Sequence, residues 1–347
     1  MGCCQKRKKS QYLLNKTNKP LKEPNDEKDF TTITINISYQ DFIPLKLLGR
    51  GSFGQVCLVR LKINNKLYAM KILDKKLLKE RNQELHTKSE RDLMVKINCP
   101  FIVNIKSAFQ DEKYLYIISD FMQGGDLFYH MHESRIFNFE LAQFYTAEIV
   151  LALEYLHKNG IEYRNLTPRN ILINKDGYIK LTPFSLEEFF KLKKNIYDNN
   201  FEKNEYSPPE ALVNRQNENS DIWNLGIIIY EMIFGVPPFY SFDLNDLSQI
   251  IEKNGLKFPT DIQISESLKN LIKKLLDKNP DKRLGNNNDF NEIKNQDFFK
   301  DFNFDELLNK KIESPYKPYF DINFKNKTFE NKYSYEDLSN SELININ

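Results

Sequence analysis

No stretch of the 347-residue chain comes near the roughly 18 consecutive apolar residues that a membrane-spanning helix needs, so none is expected. Cysteine is scarce as well. The four present, Cys3, Cys4, Cys57 and Cys99, are too few for a disulfide framework and show no metal-ligand spacing. An excess of one charge is also lacking. The formal net charge is +2, which supplies no general attraction to nucleic acid, and no such partner is expected. The chain has no internal repeat. What it does have is a hydrophobic share of 40% and an aromatic share of 13%, the composition of a folded protein. Its length suits one bilobal unit or two small domains with a sizeable core.

The cysteines fall into two kinds. Cys57 and Cys99 sit in apolar surroundings and are expected to be small core fillers. Cys3 and Cys4 follow Gly2 and precede the basic run Lys6-Arg7-Lys8-Lys9. With Met1 removed, Gly2 is a myristoylation candidate and the two thiols are palmitoylation candidates. Two acyl chains, or one chain beside a polybasic patch, anchor a protein durably to a membrane. Lys6 stands where Ser or Thr is preferred, and a plain basic tail is the alternative. Residues 1–41, polar and Lys- and Asn-rich with Pro20 and Pro24, read as a flexible tail on either view. The expected location is cytoplasmic, with acylation placing the chain on the inner face of a membrane.

From Phe42 the pattern becomes that of a domain. Leu45 to Leu48 leads into a glycine-rich turn, and Gln55 to Arg60, Leu67 to Leu73 and Tyr114 to Ser119 read as strands. Residues 84–97 carry Leu85, Leu93 and Ile97 among charges, as an amphipathic helix would. Beyond Gly124-Gly125 the chain turns helical. Leu141, Tyr145, Ile149, Ala152, Leu153 and Leu156 make a stripe at helical spacing, which Asn159-Gly160 stops. Asp176-Gly177 between Ile171 to Ile173 and Tyr178 to Leu181 signals a hairpin. Ile222 to Phe234 is apolar nearly all round, the mark of a buried helix. Leu268 to Leu276 is a further amphipathic helix.

The segment from Gly49 through Val56 spells G-R-G-S-F-G-Q-V. Glycines there let backbone amides approach phosphates closely. Tyr68-Ala69-Met70-Lys71 places a lysine on a following strand, and Glu90 on the first helix is positioned to pair with it. That constellation holds α- and β-phosphates in protein kinases.

The chain resembles the AGC class of Ser/Thr protein kinases, which includes the cAMP-dependent kinase catalytic subunit. Further matches are Gly124-Gly125-Asp126, the loop from Tyr163 to Asn170 (Y-R-N-L-T-P-R-N), and Pro208-Pro209-Glu210. Asp221-Ile222-Trp223-Asn224-Leu225-Gly226 and the run from Asn279 to Gly285 complete the series. The resemblance implies an α+β, bilobal kinase-like fold over residues 42–299. Its small β-rich lobe would be 42–120 and its larger, mainly helical lobe 121–299. An AGC-like tail occupies 300–347, with Pro315-Tyr316-Lys317-Pro318 but no F-x-x-F ending. It also implies ATP as ligand. By motif position the contacts are Gly49, Gly51, Ser52, Phe53, Gly54, Val56, Ala69, Lys71, Glu90, Asp120, Met122, Asp126, Asn170 and Leu172. Val56, Ala69 and Leu172 would sandwich the adenine ring, while Met94, Ile105, Tyr163 and Phe184 would form an apolar column. Glu210 would pair with Arg283, and Asp221 would steady the catalytic loop.

The departures from the family fall on charges. Members carry D, K and E where this chain has Asn165, Thr167 and Arg169. The aspartate accepts or orients the substrate hydroxyl's proton, and a neutral amide does not take it. Thr167 removes a lysine aimed at the transferring phosphate, and Arg169 replaces an acid that helps receive a basic substrate side chain. Pro183-Phe184-Ser185 stands in place of D-F-G. Proline has no side-chain oxygen for Mg²⁺, leaving Asn170 as a single neutral ligand. Glu187 and Glu188 follow, either as substitute ligands or as a solvated acidic turn. The usual phosphothreonine position falls on Asn199. No catalytic group is intact on this reading. The expected function is a kinase-like scaffold or allosteric module for signalling proteins, with weak ATP binding and poorly held Mg²⁺. The alternative is a Ser/Thr kinase with residual or rewired activity.

Overall fold

A computed structural model describes residues 37–51, 54–80, 97–182, 205–212, 220–240 and 244–319. They divide into two compact units, the first within Met1–Ile97 and Asn104–Phe121, the second within Asn98–Val103 and Met122–Asn323.

The first unit is a five-stranded antiparallel sheet in the order β1-β2-β3-β5-β4. Its strands are β1 (Phe42–Gly51), β2 (Gly54–Leu61), β3 (Leu67–Asp74), β4 (Ile105–Gln110) and β5 (Tyr114–Asp120). Strand alternation sends Cys57, Val59, Tyr68, Met70, Ile72, Tyr116 and Ile118 into one buried apolar cluster with Phe42, Leu47 and Phe109. Tyr116 stacks on Phe109 with ring centroids 4.9 Å apart. Its hydroxyl donates to Asp111, whose other carboxylate oxygen accepts the N–H groups of Lys113 and Tyr114 and so shapes the β4–β5 turn. A short helix, α1 (Lys75–Glu80), follows β3 and starts where Asp74 accepts the amide of Lys76 at 2.7 Å.

The second unit is mainly helical around a small sheet of β6 (Gly125–Asp126), β7 (Ile171–Ile173) and β8 (Ile179–Leu181). Asp126 caps α2 (Leu127–Ser134) and Asn138 caps α3 (Phe139–Lys158), each accepting a backbone N–H three residues on. Gly160, at φ +69°, follows the end of α3. In chain order the four-residue α4 (Pro209–Leu212) precedes α5 (Ser220–Phe234), and α6 (Leu244–Lys253) follows it. Every residue of α5 is buried. Then come α7 (Glu266–Leu275), capped by Ser265, α8 (Phe290–Lys294) and α9 (Phe304–Leu308). Beyond α9 the chain returns to the β7–β8 hairpin. Tyr178 donates to the carbonyl of Ile312 at 2.8 Å, and Ser314 donates to that of Gly177 at 2.9 Å. Gly177 has φ +87°, and a Cβ there would collide with Tyr316 and Ser314. The hairpin expected at Asp176-Gly177 is present, and its glycine also admits the tail.

Both expected core cysteines are buried. Burial pushes the thiols of Cys57 and Cys99 up to about 11. No described helix is long and apolar enough to cross a membrane. Gly2, Cys3, Cys4 and the helix expected over 84–97 lie outside the described residues, except Ile97.

Candidate functional site

In the first unit three of the residues expected to contact nucleotide, Val56, Ala69 and Lys71, share one face of the sheet, whereas Asp120 pairs with Tyr68 on the other. Val56 on β2 pairs with Lys71 on β3, Leu58 pairs with Ala69, and Ala69 pairs with Ser119 on β5. Paired residues in an antiparallel sheet point to the same side. Val56, Ala69 and Lys71 therefore oppose the face occupied by Cys57, Met70 and Tyr68, and all three are half-buried. Gly49 and Gly51 end β1, and Gly54 opens β2 opposite Gly51. The glycines are not equivalent. A Cβ on Gly54 would strike the carbonyl of Ile72, so that glycine serves the β2–β3 contact, whereas a Cβ on Gly49 would meet nothing within 4 Å among the described residues. Open space beside Gly49 fits a ligand cradle. Asp120, at the end of β5, pairs with Lys106 at 3.3 Å.

In the second unit Met122 is buried, and its carbonyl accepts the amide of Gly125. Asp126 lies opposite Leu172 across β6 and β7, and its carboxylate also accepts the amide of Tyr129 at 2.9 Å. The loop from Tyr163 to Asn170 is fixed by α5. Asp221 Oδ2 accepts the amide of Tyr163 at 2.7 Å, and Oδ1 accepts that of Arg164 at 2.6 Å. Arg164 is held at φ +60°, a left-handed conformation that a non-glycine residue keeps only when its surroundings enforce it. The carbonyl of Asn165 accepts a hydrogen bond from Asn170 Nδ2 at 2.9 Å. Tyr163 donates toward the carbonyls of Asn170 and Thr182, and the amide of Thr182 donates to Asn170 at 2.8 Å. Asn165, Thr167 and Asn170 are thus gathered in one half-buried loop held by these hydrogen bonds.

His157 was not expected here. Its ring lies 2.7 Å from Asp221 Oδ2 through Nε2 and 2.7 Å from Asn288 Oδ1 through Nδ1. Burial alone would lower its pKa, but the hydrogen bond and charge of Asp221 prevail and raise it. An imidazolium, which donates at both nitrogens, matches these two acceptors. No spacing rule links His157 to an aspartate so far along the chain. Tyr206 and Glu231 form a second unforeseen pair, with the phenol donating at 2.6 Å. Burial pushes the Glu231 carboxyl up to about 7 against the Tyr206 hydrogen bond. The expected Glu210–Arg283 pair is present and bidentate, at 2.6 and 2.9 Å, with both side chains buried.

Ser52, Phe53, Glu90, Met94, Pro183, Phe184, Ser185, Glu187, Glu188 and Asn199 lie outside the described residues. Ile105 is buried in the first unit and Tyr163 in the second.

The family model for the protein kinase domain matches residues 42–299. The chain is 40% identical to the serine/threonine-protein kinase Sgk1-A of Xenopus laevis over 314 residues, covering 88% of this chain and 71% of that protein. It is 39% identical to the serine/threonine-protein kinase sck2 of Schizosaccharomyces pombe over 312 residues, covering 86% of this chain but 48% of that one. A RAC family serine/threonine-protein kinase homolog of Dictyostelium discoideum is 40% identical over 284 residues, 81% of this chain and 63% of its own. With its five-stranded antiparallel sheet, its helical second unit and these relatives, the chain belongs to the protein kinase family, within the AGC serine/threonine group.

Proposed function

We propose that this chain uses the kinase fold chiefly as a recognition module for signalling proteins and transfers phosphate slowly or not at all. The observation that carries the reading is the identity of the loop residues. Asp221 and Asn170 order the backbone around position 165, yet the side chain presented there is an asparagine. An amide does not take a proton from a hydroxyl nucleophile, and a general base is worth about 10²–10⁴-fold in rate. Thr167, two residues on, offers a neutral hydroxyl in place of a cation.

Nucleotide and metal differ in how well the residues suit them. Lys71, Val56 and Ala69 on one sheet face, with open space beside Gly49, suit a nucleotide. When bound in a kinase, Mg²⁺ neutralises charge on the phosphates. Asn170 supplies one neutral oxygen and Pro183 none, so this set does not suit Mg²⁺, which binds through carboxylates in octahedral geometry.

The names of the relatives favour a second reading, a Ser/Thr kinase that transfers the γ-phosphoryl of ATP to protein hydroxyls. Lys71 would then hold phosphates and Asn170 the remaining metal. The two readings separate in a comparison of the wild type with the Asn165→Asp, Thr167→Lys, Pro183→Asp variant, assayed on a generic protein substrate. A gain of about 10²-fold or more supports the recognition module. Comparable robust activity in both supports the kinase.

A further inference from the structure

Arg169 projects from the same loop, one residue before Asn170, and is exposed. Its guanidinium carbon sits 3.8 Å from the centre of the Phe128 ring on α2. Among the described residues it makes no hydrogen bond and no ion pair. Phe128 is half-buried, and the exposed ring of His132, one helical turn further on, lies 6.5 Å from it. A cation and an imidazole thus each lie beside the same aromatic ring in the second unit.

This arrangement differs from a solvated surface arginine. Seating over an aromatic ring restricts the side chain before any partner arrives, so less entropy is lost on binding. The planar fork keeps its N–H donors at the rim, in the geometry that carboxylate and phosphate oxygens accept.

We infer that the Arg169–Phe128–His132 face binds an acidic segment of a partner protein, with a carboxylate or phosphate group seated on Arg169. The inference names the partner chemistry of the recognition role proposed above, and its readout is binding alone. Phosphotransfer by the wild type would overturn the earlier reading and leave this one standing.

Fluorescence anisotropy with the full chain tests it. The probes are labelled peptides identical except at two central positions, which carry glutamate, phosphoserine or arginine. The glutamate and phosphoserine peptides should bind and the arginine peptide should not. The tighter of the first two identifies the preferred anion. Arg169→Glu should weaken acidic-peptide binding by about tenfold or more, and Arg169→Lys, which keeps the charge but loses the fork and the stacking, by a smaller factor. Both variants alter an exposed side chain, so their thermal unfolding should match wild type. Failure of either acidic peptide to bind, equal binding of all three, or acidic binding unchanged in Arg169→Glu overturns the inference.

Discussion

Asp221 accepts the backbone N–H of Arg164 at 2.6 Å from a helix 57 residues further along the chain. The same carboxylate takes the amide of Tyr163 and faces His157. One buried side chain therefore fixes the loop that presents Asn165, and the charge that shapes this loop is kept although position 165 itself is neutral.

Removing that carboxylate should be costly. Asp221→Ala orphans a buried amide, a half-buried one and a buried imidazole, so a loss of about 3 kcal/mol or more is expected. Urea unfolding of both proteins measures it. A loss below about 1 kcal/mol would mean that water replaces the carboxylate freely.

The same contact predicts a pH dependence. The pKa of His157 is raised in the folded state, so its contribution is fully present below the ordinary histidine value near 6.5. It is lost as pH climbs through the higher folded value. Melting temperatures of wild type and His157→Gln, followed from about pH 6 to about pH 9, should converge as pH rises. A gap that is constant or widens over that range contradicts the assignment.

Glu210 and Arg283 give a different signature. Arg283→Ala strands a buried carboxylate and should cost about 3–5 kcal/mol, whereas the double change Glu210→Met, Arg283→Met removes both charges and should cost less. Denaturant titration of the two variants decides. If the double variant is the less stable of the two, the pair contributes more than the removal of a stranded charge explains.

Much of this architecture was readable before any coordinates, because it rests on local rules. The Asp176-Gly177 turn, the all-round apolar α5 and the Asn159-Gly160 stop each follow from adjacent residues, and each is observed. Among the elements that were not anticipated, two show why. Strand β4 shifts register between Ile105 and Ser107, which breaks the alternation that would announce it. Helix α1 is six residues long with one buried side chain, Leu78, too short for a periodic stripe. The site divides similarly. Glycine spacing and Lys71 were legible as motifs, but the role of Gly54 against Ile72 needed the neighbouring strand. The hydrogen bond of Tyr316 to His130, 186 residues apart, has no local signature at all.

Nucleotide binding should show the same division between retained and missing groups. ATP is expected to raise the melting temperature by a similar amount with and without Mg²⁺, through Lys71 and the sheet face around Val56. A large stabilisation that requires Mg²⁺ and vanishes in Lys71→Ala contradicts the reading of Asn170 and Pro183.

The most direct measurement is incorporation of labelled γ-phosphate into a protein substrate by the purified, unaltered chain, with Lys71→Ala as the control for contaminating enzymes. Turnover no higher than in that control is the expected result. Robust labelling that disappears in Lys71→Ala would show that a loop offering an amide at 165 and a proline at 183 still drives the transfer.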